Sequence, residues 1–285
     1  MMIRRWIAAA LMLFMSLRLI PGFAGEWAQW ISKPALNALA CVGDRFPFPL
    51  AEWLGIAAGI LLTLALFVQS LRRAAGGLLI ALMIASLTLW YPLYFVDCAA
   101  HSASTRQISA SCAELIAHLN ACATEFEPPD DLPAKPVRFP GWMRALDISG
   151  ICAFFTGEAL YSPELHPAAL PFVAMHERMH LEGHAGEGAA NIAAWEACIA
   201  RGGAYADSAR LWALRYSMGL LEPAQRSAHV SAMSPQNLER YRSSGGAYIP
   251  APPTWLSALQ RFLGVDGAMS DYEILALYLA EGYPR

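Results

Sequence analysis

Two hydrophobic rhythms divide the chain near residue 100. Before it, Trp53 to Leu71 and Ala74 to Val96 hold no charged side chain, and each is close to the roughly 20 residues that a helix needs to cross a hydrocarbon core. A third run, Trp6 to Phe23, is nearly as apolar and contains Arg18 shortly before the helix-breaking Pro21, a position from which the guanidinium can snorkel to an interface. The pattern predicts three transmembrane helices, at about 5–23, 52–71 and 74–96, in a membrane domain of residues 1–100. A cleaved signal peptide is the competing reading of residues 1–24, because Arg4-Arg5 precede the apolar run and Phe23-Ala24-Gly25 offer small residues after it.

After residue 100 the period becomes that of amphipathic helices. Ile108, Cys112, Leu115, Ile116 and Leu119 mark one helix over Thr105–Cys122, followed by a proline-rich connector from Pro128 to Pro140. Ile151–Phe155 and Ala159–Tyr161, separated by Gly157, read as short strands. Helices are then expected at about Ala168–His184, Glu187–Arg201 before Gly202-Gly203, Tyr205–Leu221 before Pro223, Pro235–Ser243, Thr254–Leu263 and Asp271–Ala280. The expected fold is mainly α: three N-terminal spans, then a helical domain of residues 101–285 with a small β-sheet.

Composition agrees with a membrane protein: 56% of the 285 residues are AVILMFWYC and 15% are charged. Residues 1–100 carry 11 of the 43 charged side chains, seven basic and four acidic, so the first part has net charge +3 and the remainder −6. An overall charge of −3 provides no basic excess to neutralise phosphates, which argues against a nucleic-acid partner. Arg4-Arg5 and Arg72-Arg73 mark cytoplasmic ends. With three spans, everything from about residue 97 onward is then extracytoplasmic. All six cysteines, Cys41, Cys98, Cys112, Cys122, Cys152 and Cys198, fall on that outer side, which permits disulfides without requiring them. Cys112 and Cys122, about 15 Å apart along one helix, cannot pair with each other. Trp53–Leu71 and Ala74–Val96 contain no Asp, Glu, Lys, Arg or His, unlike the conduction pathway of a transporter or channel.

The chemistry concentrates at His176-Glu177-Arg178-Met179-His180. Histidines four apart share a helical face and reach one ion, and the intervening Glu stands beside the metal-bound water. A catalytic zinc needs a third protein ligand and leaves its fourth position to water. A metzincin would place a third histidine at residue 186, which is Gly186 here. The remaining candidates are His184, Glu187 and Glu196. Glu187-Gly188-Ala189-Ala190-Asn191 resembles the element that supplies the third ligand in several gluzincin peptidases, a likeness that implies Glu187 as ligand and Asn191 as its outer hydrogen-bonding support.

Taken together, Gly157-Glu158-Ala159-Leu160, Pro171 to Glu177, Gly183 to Asn191, Ala213-Leu214-Arg215-Tyr216 and Gly264-Val265-Asp266-Gly267 before Asp271-Tyr272 resemble the bacterial membrane family called domain of unknown function 3810. The likeness extends over nearly the whole chain. It implies a zincin-like metallopeptidase of the cytoplasmic membrane, multi-pass, with its C-terminal domain outside, holding Zn2+ through His176, His180 and Glu187 and acting on a peptide or protein substrate. Two positions depart from that family: Arg178 stands where a small or apolar residue is usual, and Ala189 where a second acid is common.

The expected mechanism uses Glu177 as the base that takes a proton from the metal-activated water and returns it to the leaving amine. Arg215 or Tyr216 is expected to stabilise the oxyanion, and the strand around Phe154–Tyr161 offers a sheet edge for an extended substrate. The alternative is a non-catalytic membrane receptor or assembly factor stabilised by a metal. Glu177 separates the two, because a closed structural site has no use for an uncoordinated carboxylate.

Overall fold

The computed structural model describes residues 12–17, 19–20, 22–96, 101–122, 126–146, 148–244 and 273–282. α1 (Phe23–Trp27) continues through a π-helical turn, Ala28–Ser32, into α2 (Lys33–Gly43), which buries Leu36 and Ala40. Periodicity alone did not suggest α2. α3 (Leu50–Phe67) is followed by a tight turn, Gln69–Leu71, and by α4 (Arg72–Ala85), whose axis is prolonged by a π-helical turn, Ser86–Trp90, and a 3-10 turn, Tyr91–Phe95. Among the described residues two helices, Leu50–Phe67 and Gln69–Phe95, are long and apolar enough to cross a membrane. Three were expected; the first, at 5–23, is described only in part, with helix over 12–17 and residues 5–11, 18 and 21 outside the described residues. Leu54, Ile60, Leu64, Leu66 and Phe67 of α3 are all exposed. An apolar surface of that extent is costly in water and natural in lipid, so the two helices point to membrane association.

α5 (Thr105–Ala121) starts at a capping box: Ser104 accepts from the Gln107 amide and Gln107 from the Ser104 amide. It buries the whole stripe expected of it. β1 (Lys135–Pro136) is a two-residue strand inside the proline-rich connector, short enough to leave no alternation in the sequence. A short helix α6 (Gly141–Ala145) precedes β2 (Gly150–Ala153) and β3 (Glu158–Tyr161). The sheet order is β1-β3-β2, with β1 parallel and β2 antiparallel to β3. β3 is therefore central, and the free edge expected around Phe154–Tyr161 belongs to β2 instead. Gly157 turns the chain between them with φ +68, and a Cβ there would lie 2.1 Å from the Leu39 carbonyl carbon, so α2 rests directly on this turn.

A 3-10 turn, Pro167–Ala169, leads into α7 (Leu170–Leu181), which stops at the positive-φ Gly183 rather than running on to His184. α8 (Glu187–Arg201), α9 (Gly203–Gly219), α10 (Pro223–Ser231), α11 (Pro235–Ser243) and α12 (Ile274–Ala280) follow. The expected helix Thr254–Leu263 and the motif Gly264 to Tyr272 lie outside the described residues. α5, α7, α8, α9 and α12 enclose the main core, in which Phe172, Trp195, Leu214, Leu275 and Leu279 are almost fully buried.

The two halves of the chain interlock. Glu158 on β3 accepts the first amides of α3, Leu50 N–H at 2.9 Å and Ala51 N–H at 2.6 Å, and also meets the Lys135 ammonium at 2.8 Å. In return Glu52 accepts the amides of Arg138 at 2.6 Å and Phe139 at 2.9 Å. A carboxylate at a helix N-terminus satisfies orphan N–H groups and complements the dipole, so the start of α3 is fixed to the sheet.

Candidate metal centre

α7 is buried on nearly every side, an unusual setting for a segment carrying two histidines, a glutamate and an arginine. Its N-terminus is tied to α9 by the Phe172 amide donating to the Ser208 hydroxyl at 3.1 Å. His176 and His180, one helical turn apart, bring their ring centroids to 4.6 Å. Gly183 then reverses the chain, and the His184 carbonyl accepts from His180 Nδ1 at 2.6 Å, which leaves Nε2 as the free ligand atom. His176 is placed by packing against the Phe172 ring, 6.4 Å away. α8 begins three residues after the reversal. Its small buried residues Gly188, Ala190 and Ala194 allow close approach to α7.

That approach delivers Glu187. Its Oε2 lies 3.1 Å from His176 Nε2 and 3.7 Å from His180 Nε2, and the ligand atoms of all three residues fall within 4.8 Å of one another. Tetrahedral zinc bonds imply ligand-to-ligand spacings of roughly 3.3 Å, so this donor set fits a small divalent ion with little rearrangement. Without metal, burial raises the Glu187 carboxyl, but hydrogen bonds and charge from the two histidines overcome it and hold the group down at about 2. Burial lowers His180, while Glu187, Glu177 and the His184 carbonyl outweigh it and lift the imidazole to about 9. A proton thus sits where a cation would.

Glu177, also buried, behaves oppositely: desolvation pushes its carboxyl up, against the pull of the two histidines. Two carboxylates close together are driven apart in acidity, the arrangement that separates a permanently ionised group from one able to exchange protons. Glu177 is also sterically located. A Cβ on Gly150, the first residue of β2, would come within 2.6 Å of both Glu177 Cγ and Oε1, so only glycine lets the strand press on this carboxylate.

Aromatic residues at the end of the span expected at 74–96 would ordinarily form an interfacial belt. Trp90 instead packs on a metal-site histidine, its centroid 5.8 Å from that of His180, and stacks on Phe154 at 5.3 Å. The Trp90 indole N–H donates to the Tyr94 hydroxyl at 3.1 Å.

The other candidate residues are placed as follows. His184 contributes its carbonyl to the cluster and Glu196 accepts from the Tyr278 hydroxyl at 2.7 Å, so neither joins the three convergent ligand atoms. Asn191 is fully buried one turn beyond Glu187. Arg215 donates to the Tyr241 carbonyl and to Ser244 Oγ, and its guanidinium lies over the Tyr241 ring. Tyr216 is buried with its ring against Trp212, which stacks on the same Phe172 that packs on His176. Arg178 points away from the ligands, pairing with Asp44 at 2.9 Å and Glu182 at 3.5 Å. The five described cysteines, Cys41, Cys112, Cys122, Cys152 and Cys198, are free thiols; Cys98 lies outside the described residues.

The model of a family described as a protein of unknown function, DUF3810, matches residues 97–242. The match contains His176, Glu177, His180 and Glu187 but not the two long apolar helices, a narrower range than the likeness read along nearly the whole sequence. No curated protein matches, and no solved structure does.

Proposed function

We propose that this chain, which belongs to the DUF3810 family, is a membrane-anchored zinc peptidase of zincin type. The observation that carries the reading is the pairing of a ligand set of three residues, among the described residues, with a buried carboxylate on the same helix that is not part of it. A structural zinc site closes with four protein ligands, whereas a hydrolytic one keeps a position free. When bound, zinc supplies Lewis acidity that brings a water's pKa towards about 7.

Glu177 takes one proton from the attacking water and delivers it to the amide nitrogen as the C–N bond breaks, leaving a carboxylate and an amine. The raised pKa of Glu177 suits both the acceptance and the return of that proton, and the close approach of Gly150 confines the carboxylate. His180 is kept in its ligating tautomer by the His184 carbonyl. Of the two oxyanion candidates, Tyr216 is the one that remains, because the guanidinium of Arg215 is turned to Tyr241 and Ser244. The free edge of β2 is the place for an extended peptide to add its main chain.

Arg72 and Arg73 lie at the turn between the two long apolar helices, and the Arg72 guanidinium hydrogen-bonds the Ala65 and Leu66 carbonyls there. The folded domain meets the opposite ends of the same helices, at Leu50 and Trp90. Basic residues favour the cytoplasmic side, which supports an extracytoplasmic domain.

The test is hydrolysis of a fluorescently labelled unfolded protein by the full-length, zinc-loaded protein in detergent. Glu177→Gln is expected to lower the rate about 10³-fold, equivalent to about 4 kcal/mol. An unchanged rate would remove Glu177 from the mechanism. A zinc-loaded protein that cleaves nothing would favour the metal-stabilised receptor or assembly role.

A further inference from the structure

The side of the sheet turned away from the metal carries a second feature. Cross-strand partners share a face, so Ile151 with Leu160 and Ala153 with Glu158 point one way, while Gly150 with Tyr161 and Cys152 with Ala159 point the other. The second face covers α7: Gly150 touches Glu177, and Ala159 packs with Leu181. The first face opens onto a cavity of about 470 Å³ bounded by Ile151, Ala153 and Phe155 and by Ala51, Gly55 and Ile56 of α3. One wall is thus a sheet edge beside the catalytic carboxylate, and the other is the opening of a helix apolar enough to span a membrane.

The cavity is almost wholly apolar. Its one charged lining residue among those described is Glu52, whose oxygens already accept from the Arg138 and Phe139 amides and from the Trp142 indole. Among the described residues no Lys or Arg lines it, so none of them would hold a lipid phosphate. Exposed Trp53 and Phe139 meet edge to face at 5.6 Å beside it, the kind of aromatic pair that settles at a bilayer interface. A peptide strand added along β2 would direct every second side chain over Ile151 and Ala153, into the cavity, and the intervening ones towards Glu177.

We infer that the substrate is a juxtamembrane segment of a membrane-anchored protein, bound extended along β2 with a large apolar side chain in the cavity between β2 and α3. The inference rests on the peptidase reading for its chemistry: one water is consumed, its oxygen enters the new carboxylate, and the amine leaves with the proton relayed by Glu177. For specificity it rests on the cavity alone. The bilayer holds the segment at the height of the first turns of α3, and the cavity selects its side chain.

Binding is tested in the Glu177→Gln protein, full length in phosphatidylcholine nanodiscs. The probe is a fluorescent single-span peptide whose juxtamembrane stretch is alanine with or without one phenylalanine. The phenylalanine probe should bind at least tenfold tighter. Gly55→Phe should abolish that preference, since Gly55 lines the cavity and a Cβ there meets nothing within 4 Å. Phe155→Ala, at an exposed position on the cavity rim, should reduce it severalfold. Equal binding of the two probes, a preference that survives Gly55→Phe, or displacement of the probe by short-chain phosphatidylcholine would overturn the inference. Because binding is read in a protein that cannot cleave, a retained preference alongside an inactive wild type would sink the peptidase reading alone. Cleavage without preference would sink the cavity assignment alone.

Discussion

The region behind the metal site and the region in front of it are held by different forces. Behind it, α5, α8, α9 and α12 close on an apolar core around Trp195, Leu214 and Leu279. In front, the contact between α3 and the sheet depends on two buried carboxylates, Glu52 and Glu158, that bind backbone amides distant in sequence. Apolar packing is tolerant and additive, and it leaves a periodic trace in the sequence. Carboxylate-to-amide capping is all or none, since a buried acceptor without its donor costs the full desolvation of the group. Glu177 lies where the two regions meet, carried by a helix of the first and pressed by a strand of the second.

That contrast breaks most visibly in the core. Trp195→Ala should cost about 4 kcal/mol of stability, read as a large drop in the thermal midpoint of the purified protein in detergent. The junction should respond differently. Glu158→Gln keeps the shape but removes the charge from two amide bonds and leaves the Lys135 ammonium without its buried partner. About 2–3 kcal/mol is expected, with faster proteolysis in the loop 44–49 rather than global unfolding. The smallest change is the most local one. Gly150→Ala should leave the thermal midpoint nearly unaltered, because Glu177 can swing aside, yet lower turnover about tenfold, equivalent to roughly 1.4 kcal/mol. A Gly150→Ala protein with wild-type turnover would mean that β2 does not position the base.

The same contrast decides what the sequence discloses. The stripe Ile108 to Leu119 announced α5, and the four-residue spacing of His176 and His180 announced the ligand pair, because helical geometry alone relates those positions. Glu187 was within reach because only a short reversal separates α7 from α8. Residues joined through the tertiary fold leave no such trace. Nothing near Glu158 indicates that it caps a helix starting at Leu50, and nothing near Trp90 indicates that it packs on His180. β1, two residues long and half proline, has no alternation to detect. The free edge was assigned to the wrong strand for a related reason: which strand is central depends on β1 pairing with β3 across the intervening α6. The departure at Arg178 becomes intelligible only with Asp44 in view, as a tie between α7 and the loop after α2.

Metal content tests the central claim most directly. The purified full-length protein, loaded with zinc and then dialysed, should hold one equivalent as wild type and as Glu177→Gln, and far less than one as Glu187→Ala. Full zinc occupancy in Glu187→Ala, or none in the wild type, would contradict a centre built from His176, His180 and Glu187.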